Sequence, residues 1–159
     1  MDTQDTIIIG SGCAGLTAGI YSSRANLKTI IFAGNLDYKG GLLMKTSIVE
    51  NYPGYPDGIL GSDLILNFEK QAIKYGCDII DKDVISIKKY QNNYWEVQDS
   101  NNNIYITKTI IIATGSTPNK LGLEDEDSFW SNGISSCAVC DGFLYKNKKI
   151  VVVGEATVH

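Results

Sequence analysis

Apolar positions divide the chain into short blocks. Thr6–Ile9 is a β-branched run without alternation, the pattern of a parallel strand buried on both faces. Beyond three glycines, Leu16, Ala18, Ile20 and Ala25 suit a packed helix, and Lys28–Phe32 reads as a second strand. Glycine and proline punctuate residues 39–64, which predicts loop. Ser62 is placed to cap a helix running to about Tyr75, with Leu64, Phe68, Ala72 and Tyr75 on one face. Asp78–Asp81 reads as a third short strand. Val84–Ile87, Tyr94–Val97 and Ile104–Thr107, parted by QNN and SNNN turns, predict an antiparallel meander. Thr109–Gly115 (TIIIATG) reads as a further buried strand, Pro118 marks a boundary near 116–119, and Lys148–Gly154 (KKIVVVG) reads as one more strand.

The first strand, helix and second strand form a βαβ unit of about 30 residues. Gly10, Gly12 and Gly15 stand between the first two elements as G-x-G-x-x-G. In that order the glycines allow a tight turn, a close approach of backbone to a pyrophosphate, and close packing of helix on strand. The helix N-terminus adds free N–H groups and partial positive charge for phosphates. The acid that commonly ends the second strand and holds a ribose hydroxyl is missing, since Ala33 and Gly34 occupy that place. The ribose must be held by backbone or water, or held weakly.

Charge and composition narrow the chemistry. The 159 residues carry a formal net charge of -4, which argues against a nucleic-acid-binding surface. No apolar run approaches the roughly 20 residues that span a bilayer. Asp2 and Asp5 stand where a signal peptide carries positive charge, so a cytoplasmic location is expected. The single histidine is His159, which nearly excludes a histidine base or ligand.

Four cysteines in a cytosolic chain point to catalysis or metal rather than structural staples. Cys137 and Cys140 form a C-x-x-C followed at once by Asp141. Such a pair at a helix start favours thiolate near neutral pH and suits thiol–disulfide exchange. Asp141 is the nearest candidate for a local acid or base, or merely caps a turn. A zinc site would need about four ligands, with Cys77 the one plausible extra thiol, so no metal is expected. Two inert buried cysteines are the remaining reading of the pair. Cys77 fits the core of its strand.

Four segments in order carry a family resemblance: GSGCAGLTAGIYSSRANLK, VENYPGYPDGILG, IIIATGS and FWSNGISSCAVCDG. The chain resembles the low-molecular-weight thioredoxin reductases of bacteria, fungi and plants from about Thr6 to Val153. It would account for the first half of a typical member. Glutathione reductase and its relatives instead place a C-x4-C soon after the glycine fingerprint and pair it with a histidine.

The resemblance implies an α/β architecture, a Rossmann-like FAD-binding fold with a parallel sheet and an antiparallel β-meander. The start of a second, NADPH-type nucleotide-binding domain would follow, truncated. The implied division is 1–116 for the FAD domain and 117–159 for the beginning of the pyridine-nucleotide domain. FAD contacts are implied for Gly10, Ser11, Gly12, Cys13, Ala14, Gly15, Gly40, Gly41, Leu42, Asn51, Val84, Ala113, Thr114 and Gly115. Cys140 would face the flavin and form the charge-transfer contact, while Cys137 would attack the disulfide of a thioredoxin-like protein. A homodimer is implied as well.

Three departures matter. Cys13 stands where the family generally has proline, and Leu42 where it generally has glutamine. The lost amide is worth about 1 kcal/mol of flavin binding. After Gly154 the family continues with an NADPH domain, whereas Glu155 and four further residues complete this sequence. The expectation is a thioredoxin-disulfide reductase sequence whose NADPH site is missing. The competing expectations are a truncated FAD-binding relay or inactive remnant, and a non-catalytic nucleotide-binding interaction module.

Overall fold

A computed structural model describes residues 3–37, 39–130 and 132–154. Glu155 to His159 lie outside the described residues. The chain divides into two compact units, 1–117 and 118–159.

In the first unit β1 (Gln4–Ile9) leads into α1 (Cys13–Arg24) and β2 (Thr29–Phe32). A short 3-10 turn, Gly41–Lys45, precedes a two-stranded ribbon of β3 (Ile48–Val49) and β4 (Ile59–Leu60). Then come α2 (Gly61–Lys74), β5 (Asp78–Ile80), β6 (Val84–Lys89), β7 (Trp95–Asp99) and β8 (Ile104–Ile112). The six-stranded sheet has the order β5-β2-β1-β8-β7-β6. Its first four strands are parallel and its last three antiparallel, so β8 belongs to both halves.

Side chains of β1 and β2 alternate between two cores. Ile8 and Ile31 face the helices and pack with Leu16, Ile20, Ile65 and Ala72. Ile7, Ile30 and Phe32 face the other way and meet Val97. Phe32 meets the Tyr105 ring edge-on at 5.1 Å, although β1 lies between their strands in sheet order. The expected α2 face forms, with Leu64 and Ala72 buried and Phe68 and Tyr75 packed beside them.

Several expectations are corrected. Ile104–Thr107 and Thr109–Gly115 are not two strands, because no turn-forming residue separates them. Thr107 pairs at once with Trp95 of β7 and Gln4 of β1. Nor is the end of β8 buried, since Ile112 is 70% exposed. Ser62 lies inside α2 and Leu60 takes the N-cap position, so the hydroxyl caps nothing. Ala25 is the exposed C-cap of α1 rather than part of its packed face. Residues 148–154 form no strand among the described residues, and Val151 is 88% exposed. β-branched residues make a strand only where a neighbouring ladder accepts their backbone groups.

In the second unit α3 (Glu126–Phe129) and α4 (Ala138–Asp141) are single turns, and a 3-10 turn, Gly142–Tyr145, follows α4. The buried Glu126 carboxylate accepts the N–H groups of Leu121, Gly122 and Leu123 at 2.9, 2.8 and 3.3 Å, which folds that loop back onto α3.

Candidate functional site

The turn after β1 is built on backbone. Gly10 has a φ of +111°, and a Cβ there would lie 2.2 Å from the Ala113 carbonyl oxygen. A Cβ on Gly15 would lie 1.9 Å from the Gly10 carbonyl oxygen, so α1 rests directly on the turn. Gly12 is the exception. It is extended, and a Cβ built on it meets nothing within 4 Å. Two glycines are required by the protein's own packing, and the middle one faces open space.

Cys13 and Ala14 open α1 and are exposed, and no side chain caps the helix start. The first-turn N–H groups of a helix have no partner within it, so they are available to an anion. Ser11 lies in the same turn, with its side chain turned into the protein. It is buried, donates its hydroxyl to the Ala33 carbonyl at 2.9 Å, and accepts the Gly40 N–H at 2.8 Å. Its side chain is thereby committed to pulling the second glycine loop onto the first. Gly41, at φ +69°, comes so close that its Cβ would sit 3.3 Å from the Gly12 Cα. The structure thus brings Gly10–Gly15, Gly40, Gly41 and Ala113 into one cradle. Leu42 follows with its side chain 55% exposed. These residues fit a dinucleotide pyrophosphate, because the cradle holds free donors and open volume where a side chain would otherwise stand.

Val84 and Thr114 line an open hollow of about 290 Å³ with Ile9, Ile85, Ile87 and Ile112. It lies at the carboxyl ends of β1 and β8, where open α/β sheets take ligands. Gly115 adopts φ +69° just beyond. Asn51 is set apart, lining a shallow hollow of about 330 Å³ formed by residues 50–56 of its own loop.

Sequence reasoning missed Asn35 and Asp83. Asn35 donates its backbone and side-chain N–H groups to the two Asp83 carboxylate oxygens, both at 3.0 Å. A carboxylate therefore does reach the end of β2, supplied by the loop before β6. Nothing local in the sequence signals that pairing across 48 positions.

In the second unit Cys137 and Cys140 are joined by a disulfide, with Cα atoms 5.3 Å apart. Cys137 is the N-cap of α4 and its Sγ accepts the Cys140 N–H at 3.2 Å. Cys137 is half-buried and Cys140 exposed. Asp141 accepts a hydrogen bond from the Ser135 hydroxyl at 2.5 Å. The remaining cysteines are free. Cys13 is exposed, and burial pushes the Cys77 thiol up to about 11. Among the described residues no cluster of histidine, cysteine or carboxylate side chains could hold a metal, and no helix is long and apolar enough to cross a membrane.

Residues 4–156 match the family model described as pyridine nucleotide-disulphide oxidoreductase. The chain belongs to that family. Within it, the chain is 45% identical over 153 residues to the thioredoxin reductase of Streptomyces clavuligerus, covering 96% of this chain and 47% of that protein. It is 45% identical over 155 residues to NADPH-dependent thioredoxin reductase 3 of Arabidopsis thaliana, covering 95% and 29% respectively. The crystal structure of thioredoxin reductase from Streptococcus pyogenes MGAS5005 superposes with a TM-score of 0.83 at 38% identity, covering 90% of this chain and 45% of that one. The chain spans about half the length of the first of these reductases or less, and the expected FAD-type Rossmann-like α/β fold is the one observed.

Proposed function

We propose that this member of the oxidoreductase family binds FAD and passes electrons through the Cys137–Cys140 disulfide to a thioredoxin-like protein. The observation that carries the reading is a C-x-x-C disulfide at a helix start, in a chain whose other unit presents an open glycine cradle. Bound FAD would supply the two electrons, and NADPH is the hydride source that the family resemblance implies. Gly10, Gly12, Gly15, Gly40 and Gly41 and the first N–H groups of α1 hold the pyrophosphate, while Val84, Ala113, Thr114 and Gly115 border the nucleotide. Leu42 and Asn51 complete the flavin side. Cys137 is the sulfur that exchanges with the partner's disulfide, and Cys140 is the one that resolves it. Asp141, next to Cys140 in the chain, carries protons between sulfurs. A cytoplasmic homodimer completes the reading.

The test loads the protein with FAD, photoreduces it without oxygen, and counts thiols by alkylation. Cys137 and Cys140 should open in the loaded protein, stay closed in the FAD-free control, and re-form on adding an oxidised thioredoxin. A disulfide that stays closed beside fully reduced bound FAD would refute the proposal.

A further inference from the structure

The redox pair sits in a small net of polar contacts with Ser135 at its centre. The Ser135 Oγ accepts the Cys137 N–H at 3.0 Å and donates to Asp141 Oδ2 at 2.5 Å. The Cys137 carbonyl oxygen, 3.4 Å from the same hydroxyl, is the weaker competitor for its one proton. The Asp141 N–H returns to that carbonyl at 3.0 Å. One short side chain ahead of the pair therefore grips both the backbone of the first cysteine and the carboxylate just past the second.

We propose that Ser135 is a positioning residue for thiol–disulfide exchange, holding the Asp141 carboxylate in the orientation from which it moves protons between sulfurs. The inference rests on the proton-carrier reading of Asp141 given above. An aspartate on a single exposed helical turn is otherwise free to swing about its side-chain bonds. Proton transfer demands heavy atoms within about 2.6–3.2 Å, so an unanchored carboxylate spends most of its time out of range. Ser135 removes that freedom with one charge-assisted hydrogen bond.

Reduction by dithiothreitol shows the step in balance. A reagent thiol sulfur bonds to one cysteine sulfur, the Cys137–Cys140 bond breaks, and the electron pair leaves on the other cysteine sulfur. Asp141 takes the proton shed by the attacking thiol and returns it to the departing sulfur. The second reagent thiol repeats the displacement and closes the reagent's own disulfide. Two electrons and two protons have then moved from reagent to protein.

The experiment follows that reduction in the 159-residue protein, which needs no flavin, by acid quench, alkylation and intact mass. Ser135→Ala should slow reduction about tenfold, the rate equivalent of one charge-assisted hydrogen bond. Ser135→Thr, which keeps the hydroxyl, should recover most of that loss. Asp141→Asn should slow reduction at least about tenfold, and adding Ser135→Ala to it should cost nothing more. Parent-like reduction of Ser135→Ala overturns the inference. So does an equal Ser135→Ala effect with and without the Asp141 carboxylate, because Ser135 would then act only through the Cys137 backbone. Parent-like reduction of Asp141→Asn overturns the proton-carrier reading itself, and the positioning role with it.

Discussion

Gly12→Ala and Gly15→Ala add the same methyl three residues apart and should fail in opposite ways. At Gly12 φ is −68° and the new carbon meets nothing within 4 Å, so the fold should tolerate it and the melting temperature should move by no more than about 2 °C. The methyl would occupy the space through which backbone approaches a pyrophosphate. FAD affinity should therefore drop at least about tenfold, or 1.4 kcal/mol, and further for Gly12→Val. At Gly15 the methyl would sit 1.9 Å from the Gly10 carbonyl oxygen, backbone that cannot swing aside. α1 must back away from the turn, at a cost of about 1–3 kcal/mol, occasionally more. Better helix propensity returns at most about 1 kcal/mol. At the upper end of that cost, which a 1.9 Å approach to backbone warrants, the net loss is about 2 kcal/mol and lowers the melting temperature by roughly 4–8 °C. Thermal unfolding and an FAD titration followed by flavin fluorescence measure both quantities. Unchanged FAD affinity in Gly12→Val would refute the cradle, and a parent-like melting temperature in Gly15→Ala would refute the close approach.

Iodoacetamide at pH 8 should label Cys13 alone in the oxidised native protein, because Cys77 is buried with its thiol pushed up to about 11. Unfolding without reductant should add one label, as mass spectrometry will show. Burial raises the proton affinity of Asp99, but bonds from Asn103, Asn101 and Tyr105 outweigh it and hold its pKa below the usual aspartate value. Its stabilisation is thus present above about pH 4 and lost as pH falls through the folded value, so Asp99→Ala should melt roughly 5 °C lower at pH 7 with the gap closing in acid. Glu126→Ala frees three backbone N–H groups and should speed proteolytic cleavage within residues 120–124, read by peptide mass.

The βαβ start was legible because its information is local: a β-branched run, three glycines and a helical face within about 30 residues. The C-x-x-C was legible for the same reason. Most of what the sequence hid depends on partners far along the chain, and the rest on side-chain geometry within a turn. Lys108 lies within one continuous strand, β8, and pairs with Asp5 at 2.6 Å across 103 positions. KKIVVVG has strand composition and finds no ladder. The Ser11 hydroxyl bonds to Ala33 and Gly40, partners 22 and 29 positions away that no local pattern signals. Ser135 carried no signal at all, since serine is ordinary in a turn and its two partners appear only in three dimensions.

The double membership of β8 sets a schedule for folding on the ribosome. β1 lies between β2 and β8, and its residue Gln4 pairs with Thr107. The βαβ unit can therefore emerge and pack its helix while one side of β1 still has unanswered backbone groups. At about 5–20 residues per second, that exposed edge persists for several seconds until the meander has been made. An unpaired apolar strand edge is a template for the wrong neighbour. The Asp99-centred turn shortens that danger, because its bonds to Asn101 and Asn103 are local and deliver β8 already joined to β7. Slowing translation before β8 has left the ribosome should thus favour aggregation of the nascent chain, and slowing it afterwards should not.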